Sequence, residues 1–197
     1  INADYDIHSK KVVSALPKIS GAGWTNGLHK SAASYSFEKE LKMFPDELII
    51  SNRYHYLLFN LPDGYKKIAD AGLKFDSSLG FADMMGFRNS YALPFKPYDL
   101  SSRKTYGFVE CPLHVMDTTY HFYNKLGAER LVEDTITFVE NNNSNAVISV
   151  LFHNNYISDY KFGEYLKAFK KLLSYFYESG LKSISPQEIT KTYLREY

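Results

Sequence analysis

Three histidines stand directly after short apolar runs. His29 sits in Gly27-Leu28-His29-Lys30-Ser31, His55 closes the run ELIISNRYHY at 47–56, and His153 closes NAVISVLFHNN at 145–155. An imidazole changes charge near neutrality, so at a fixed strand end it can pass a proton, and in its neutral form it can bind a divalent metal. The ends of parallel strands meet along one edge of a sheet, which is where α/β folds build their sites. The three placements therefore predict a shared face.

Each candidate has a plainer alternative. His153, followed by Asn154 and Asn155, reads as a general acid or as a loop histidine that caps a turn. His29 reads as a ligand for a zinc-like metal, although Ala33 occupies the i+4 position and rules out a two-histidine helical metal motif. Arg53 and His55 are two residues apart and so share one side of a strand. The guanidinium could orient a carboxylate there, or the two could form a surface pair with acidic neighbours. Asp76, in Phe75-Asp76-Ser77-Ser78, could orient a histidine or cap the next turn. Arg88 and Asp117 are weaker candidates at loop or strand-end positions, and His8, His114 and His121 have no distinguishing context. There is no P-loop, GxGxxG, GxSxG or paired CxxC.

The elements that must hold these residues alternate between strand and helix patterns. Leu131, Val132, Thr135, Ile136 and Val139 share one helical face, and the run from Ala146 to Phe152 predicts a buried strand. Tyr165, Leu166, Phe169, Leu172, Leu173 and Phe176 recur at helical spacing, with Gly180 as the stop. A short strand is expected over 181–184. Ser185-Pro186-Gln187-Glu188 then has the makings of a helix start, with Ser as N-cap, Pro at N1 and Glu at N3. Upstream, helices are expected over 37–43 and 63–71, the latter ended by Gly72. Extended chain is expected over 48–59, 73–76 and 106–115, and a long loop over 80–102. This order predicts an α/β fold with a mainly parallel sheet, closed into a barrel in one version.

Composition sets bounds. A chain of 197 residues, 45% hydrophobic and 23% charged, fits one globular domain over 1–197. Lys+Arg total 23 against 22 for Asp+Glu, which gives no broad basic field for nucleic acid. Lys167, Lys170 and Lys171 read as the wet face of a helix. Cys111 stands alone, so no internal disulfide can form. No run is long enough to span a bilayer, and the lack of a visible signal peptide favours a cytoplasmic location. The 17 tyrosines and 14 phenylalanines could floor a sugar site or fill the core.

Taken in order, five segments resemble the polysaccharide deacetylase (NodB-homology, carbohydrate esterase family 4-like) superfamily, in its bacterial surface-polysaccharide biosynthesis form. They are GLHKSAAS at 27–34, NRYHYLLF at 52–59, AGLKFDSSLGFADMMGFRNSYALPF at 71–95, VECPLHVMD at 109–117 and VLFHNNYISD at 150–159. The resemblance implies a distorted (β/α) barrel that removes N-acetyl or a related acyl group from an amino sugar, using water activated by a divalent metal, with zinc expected. By position it implies His29 and His55 at the metal, Arg53 orienting the catalytic base, Asp76 as a catalytic acid residue and His153 as the general acid. Tyr56, Arg88 and Asp117 would contact the carbohydrate. The chain departs from the pattern at Ala33, where a second metal histidine is usual. It also shows no early Asp-Asp pair, since Asp4 and Asp6 stand too close to His29 to fill that place. An N-terminal piece with one or two strands is therefore expected to be missing. The competing expectation is a catalytically inactive barrel that binds glycan or serves in assembly.

Overall fold

The computed structural model describes residues 6–32, 35–44 and 49–194. The chain divides into two compact units. The first comprises Ile1–Ser78, Pro94–Glu110 and Ile184–Tyr197, the second Leu79–Leu93 and Cys111–Ser183.

The first unit begins with helix α1 (Lys10–Gly21), which buries none of its residues and which the sequence reading did not anticipate. Strand β1 (Leu28–Lys30) leads to the short helix α2 (Phe37–Leu41), whose N-terminus is capped by the Ser36 hydroxyl accepting from the Lys39 amide. Strand β2 (Ser51–Tyr54) follows, then helix α3 (Asp63–Asp70), then β3 (Phe75–Asp76). Gly72 supplies the left-handed residue after α3, at φ +74°. An antiparallel pair, β4 (Tyr98–Asp99) with β5 (Lys104–Thr105), precedes β6 (Val109–Glu110). Strands β1, β2, β3 and β6 form one parallel sheet in that order. Leu28, Phe37, Tyr54, Ile68, Leu73 and Phe108 are among the residues of its core.

In the second unit β7 (Val115–Met116) pairs in parallel with β8 (Val150–Leu151). A π-helical turn over Thr119–Tyr123 leads to helix α4 (Ala128–Asn142), and helix α5 (Gly163–Glu178) packs against α4. Leu131, Val132 and Val139 on α4 are buried, as the periodicity predicts, and with Tyr165 and Leu172 of α5 most of this face builds the second core. Helix α6 (Pro186–Tyr193) returns the chain to the first unit and packs on β3 and β6. Its capping box is formed as expected, with Ser185 and Glu188 bonded reciprocally. Among the described residues no helix is long and apolar enough to cross a membrane.

The α/β class and the parallel sheet agree with the sequence reading, but several elements are shorter. The extended run over 48–59 ends at Tyr54, because Tyr56 and Leu57 take left-handed φ values of 57° and 52° and turn the chain. Residues 106–115 split into β6 and β7 around Pro112, which has no amide to give to a ladder. The strand expected over 146–152 shrinks to Val150–Leu151 and is only half-buried. Residues 181–184 form no strand, and Leu173, placed by periodicity on the core face of α5, is 47% exposed.

Candidate active site

The parallel register of the first unit arranges side chains in rows that run across the strands. Leu28 pairs with Asn52, Asn52 with Asp76, and Asp76 with Glu110. One residue further along, His29 pairs with Arg53. Neighbouring residues of a strand face opposite sides, so His29 and Arg53 share one face and Asn52 and Asp76 the other.

On the first face, His29 Nδ1 donates to the Arg53 carbonyl at 3.0 Å, a bond that places the neutral ring's lone pair on Nε2. The His55 ring lies 4.8 Å from that of His29, centroid to centroid. Tyr56 stacks on His55 at 3.9 Å with planes 14° apart and is 69% exposed. Arg53 donates through Nε to the Ser77 carbonyl and through Nη2 to the Ser77 hydroxyl, both at 2.8 Å. Its fork thus grips the residue just after β3. The structure therefore brings together His29, Arg53, His55 and Tyr56. Hydrogen bonding of a histidine N–H to a backbone carbonyl is the usual way a ligating imidazole is oriented. Two imidazoles supply two ligands, however, and among the described residues no group of three or more His, Cys, Asp or Glu side chains could hold a metal ion. The described residues alone do not complete a metal centre. Ala33 and Asp4, which bear on the departures from the family pattern, lie outside them.

Asp76 is placed differently from the sequence expectation, since it faces away from His29 and Arg53. It is wholly buried, and its Oδ1 accepts from Asn52 Nδ2 at 2.6 Å while Oδ2 accepts from the Ser78 amide at 3.0 Å. It also shares a hydrogen bond with the buried Glu110 carboxyl, and burial raises its pKa against the lowering effect of these bonds. Two carboxyls can hydrogen-bond only if one keeps a proton. The same face carries Lys30 and Tyr54, which line a cavity of about 990 Å³ together with Tyr35, Phe37, Leu41 and Leu58. Neither His29 nor His55 lines this cavity.

In the second unit Asp117 is wholly buried and engages His153 twice. His153 Nδ1 donates to Oδ1 at 2.6 Å, and the His153 amide donates to Oδ2, also at 2.6 Å. The Thr118 amide gives Oδ1 a further bond at 2.6 Å. With Nδ1 so engaged, Nε2 is the ring nitrogen left to exchange a proton, and the side chain is 30% exposed. Asp117 therefore stands behind the histidine, a buried carboxylate enclosed by these three bonds. Tyr156 meets the His153 ring edge-on at 6.1 Å and also packs on His121 at 5.0 Å. Burial and, next, the Asp117 charge raise the Tyr156 pKa, so the phenol stays protonated near neutral pH. Arg88 donates to the Gly80 carbonyl at 2.7 Å from a turn whose next two residues, Asn89 and Ser90, have φ of 56° and 61°. The family resemblance assigns Asp117 a substrate role, and neither it nor the spacing of candidates singles out Asn52, Ser77 and Glu110. The 24-residue separation of Asn52 and Asp76, and of Arg53 and Ser77, is the signal that could have linked them.

No family model matches this chain, and no curated protein matches it. Among solved structures it is similar to a Bordetella bronchiseptica protein described as "a putative polysaccharide deacetylase involved in o-antigen biosynthesis", with 15% identity and a TM-score of 0.38. The match covers 57% of this chain and 55% of that one, so the chain spans about half the length of that protein. A likeness of this degree fixes neither fold nor function.

Proposed function

We propose that this chain belongs to a hydrolase that removes an N-acyl group, acetyl or similar, from an amino sugar of a surface polysaccharide. The observation that carries the reading is the Asp117–His153 pair, a buried carboxylate that fixes one imidazole tautomer in a half-exposed side chain. The five segments that resemble the polysaccharide deacetylases support it, because this pair falls within the last two of them. In the reaction, water adds to the amide carbonyl and the C–N bond breaks. Protonated His153 gives its Nε2 proton to the departing amine. Of the two protons of the attacking water, one restores His153 and the other leaves as the new carboxylic acid ionises, so the products are a carboxylate and a free amino sugar.

His29 and His55 are the proposed metal residues, with Tyr56 and Arg88 as carbohydrate contacts. A divalent metal there, zinc by expectation, would need carboxylate ligands that the described residues do not gather. Arg53, tied to Ser77, is a positioning residue in this reading, and Asp76 is a buried structural acid. The sheet order supports the barrel expected from the sequence, since parallel strands that follow one another without reversal of order are the pattern of a singly wound fold.

The test is acetate release from N-acetylated oligosaccharides by the purified protein, with and without added zinc. His153→Ala should lower turnover by about 10²–10⁴-fold while leaving glycan binding in place. Glycan binding without any acetate release from the unaltered protein would favour the inactive, carbohydrate-binding alternative.

A further inference from the structure

We propose that His114 is an acid-sensitive latch that ties the 86–93 loop of the second unit to the β7–β8 pair. The ring is 2% exposed and is bonded on both nitrogens. The Ser149 amide, just before β8, donates to Nδ1 at 3.1 Å, so Nδ1 carries the lone pair. Nε2 then carries the proton and donates to the Tyr91 carbonyl at 3.3 Å. Backbone bonds run alongside, from the Gly86 amide to the His114 carbonyl at 3.1 Å and from the Val147 amide to the Ala92 carbonyl at 2.9 Å. The neutral ring in a single tautomer is thus the side-chain tie between loop and strand.

A second proton can only go to Nδ1, where the Ser149 N–H already points. That would replace a hydrogen bond by two facing donors and leave a buried cation. Among the described residues the ring and hydrogen-bond contacts of His114 include no acid: Phe87, at 5.0 Å, and Tyr91 face it from the loop, with Arg88 next along, Phe138 faces it from α4 at 6.4 Å, and Ser149 from the approach to β8. Burial holds the pKa of the ring below the ordinary histidine value, outweighing the opposing bond to Tyr91. The sign follows from this. The tie is complete above the unfolded value of about 6.5 and is lost as pH falls from there through the lowered folded value. The loop it holds contains the left-handed Asn89 and Ser90 and the Arg88 that bonds Gly80, so its release would move Arg88. The latch stands on these bonds whether or not the deacylation holds, although moving Arg88, a carbohydrate contact in that reading, would couple the two.

Hydrogen exchange of the intact protein, corrected for intrinsic rates, tests it. Peptides over 86–93 should lose protection below pH 6.5 by up to about tenfold per pH unit, while α4 and α5 keep theirs. His114→Gln can make both bonds through its amide without titrating, so its loop should stay protected with a flat pH profile. If that variant does not fold, the wild-type imidazole can be followed by NMR, where titration should fall below 6.5 with the Nε2-protonated tautomer above it. A pH-independent loop in the wild type, a Gln variant with the wild-type profile, or an imidazole titrating at 6.5 or higher would overturn the proposal.

Discussion

Asp117 holds His153 by its ring and by its own backbone amide, so imidazole orientation and chain path are set by a single carboxylate. Asp117→Asn tests what that carboxylate does. An amide turned to accept at one contact presents an NH2 group at the other, where the His153 amide or Nδ1–H already donates. The variant should fold with reduced stability. Under the proposed reaction it should lose turnover by more than it changes substrate KM, because a misoriented or wrong-tautomer imidazole affects proton transfer more than binding. Steady-state kinetics over a range of pH checks this. An unchanged kcat would mean that the carboxylate does not orient His153.

Asp76 and Glu110 share a proton in the interior, and this makes stability depend on pH in the direction opposite to an ordinary salt bridge. The folded pKa of Asp76 is raised, chiefly by burial. A raised carboxyl contributes fully below its unfolded value, about 3.9, and its contribution is lost as pH rises through the folded value. Urea unfolding of Asp76→Asn should therefore show a flatter stability profile than the wild type above pH 4. The wild-type slope that disappears should be at most about 1.4 kcal/mol per pH unit for one proton.

The Lys30–Glu40 pair is the buried counterpart of the surface ion pairs. The atoms are 2.7 Å apart with side chains 7% and 5% exposed, and Glu40 also accepts from the Ser31 amide and hydroxyl. Removing one partner leaves the other charge buried, so Glu40→Gln should cost about 3–5 kcal/mol in equilibrium unfolding. The double change Lys30→Met with Glu40→Leu should cost less than the single one. Glu38→Gln, which breaks the exposed pair with Lys42, should change little.

Local signals in the sequence survived into the structure where the chemistry is local. The Ser185–Glu188 box and the Leu131, Val132 and Val139 face of α4 depend only on neighbours along the chain, and both formed as read. Strand extents depended on partners the sequence does not display. Pro112 broke one expected run, and the left-handed Tyr56 and Leu57 ended another. The histidines were legible as candidates, but their partners were not. Nothing local says that Asp117 lies behind His153, 36 residues away, or that Asp76 turns from Arg53 toward Asn52 and Glu110. Strand pairing decides these relationships, and a propensity argument has no access to them.

The alternation in β2 has a consequence for how this protein can vary. Asn52 and Arg53 are adjacent, yet one belongs to the enclosed acid row and the other to the face with the two histidines. Deleting a single residue within β2 would exchange them, driving a guanidinium toward two interior carboxyls and turning an amide toward the imidazoles. Length changes are therefore tolerable in the connections between strands and forbidden within them. Homologues that differ in length should carry their insertions outside 28–30, 51–54 and 75–76.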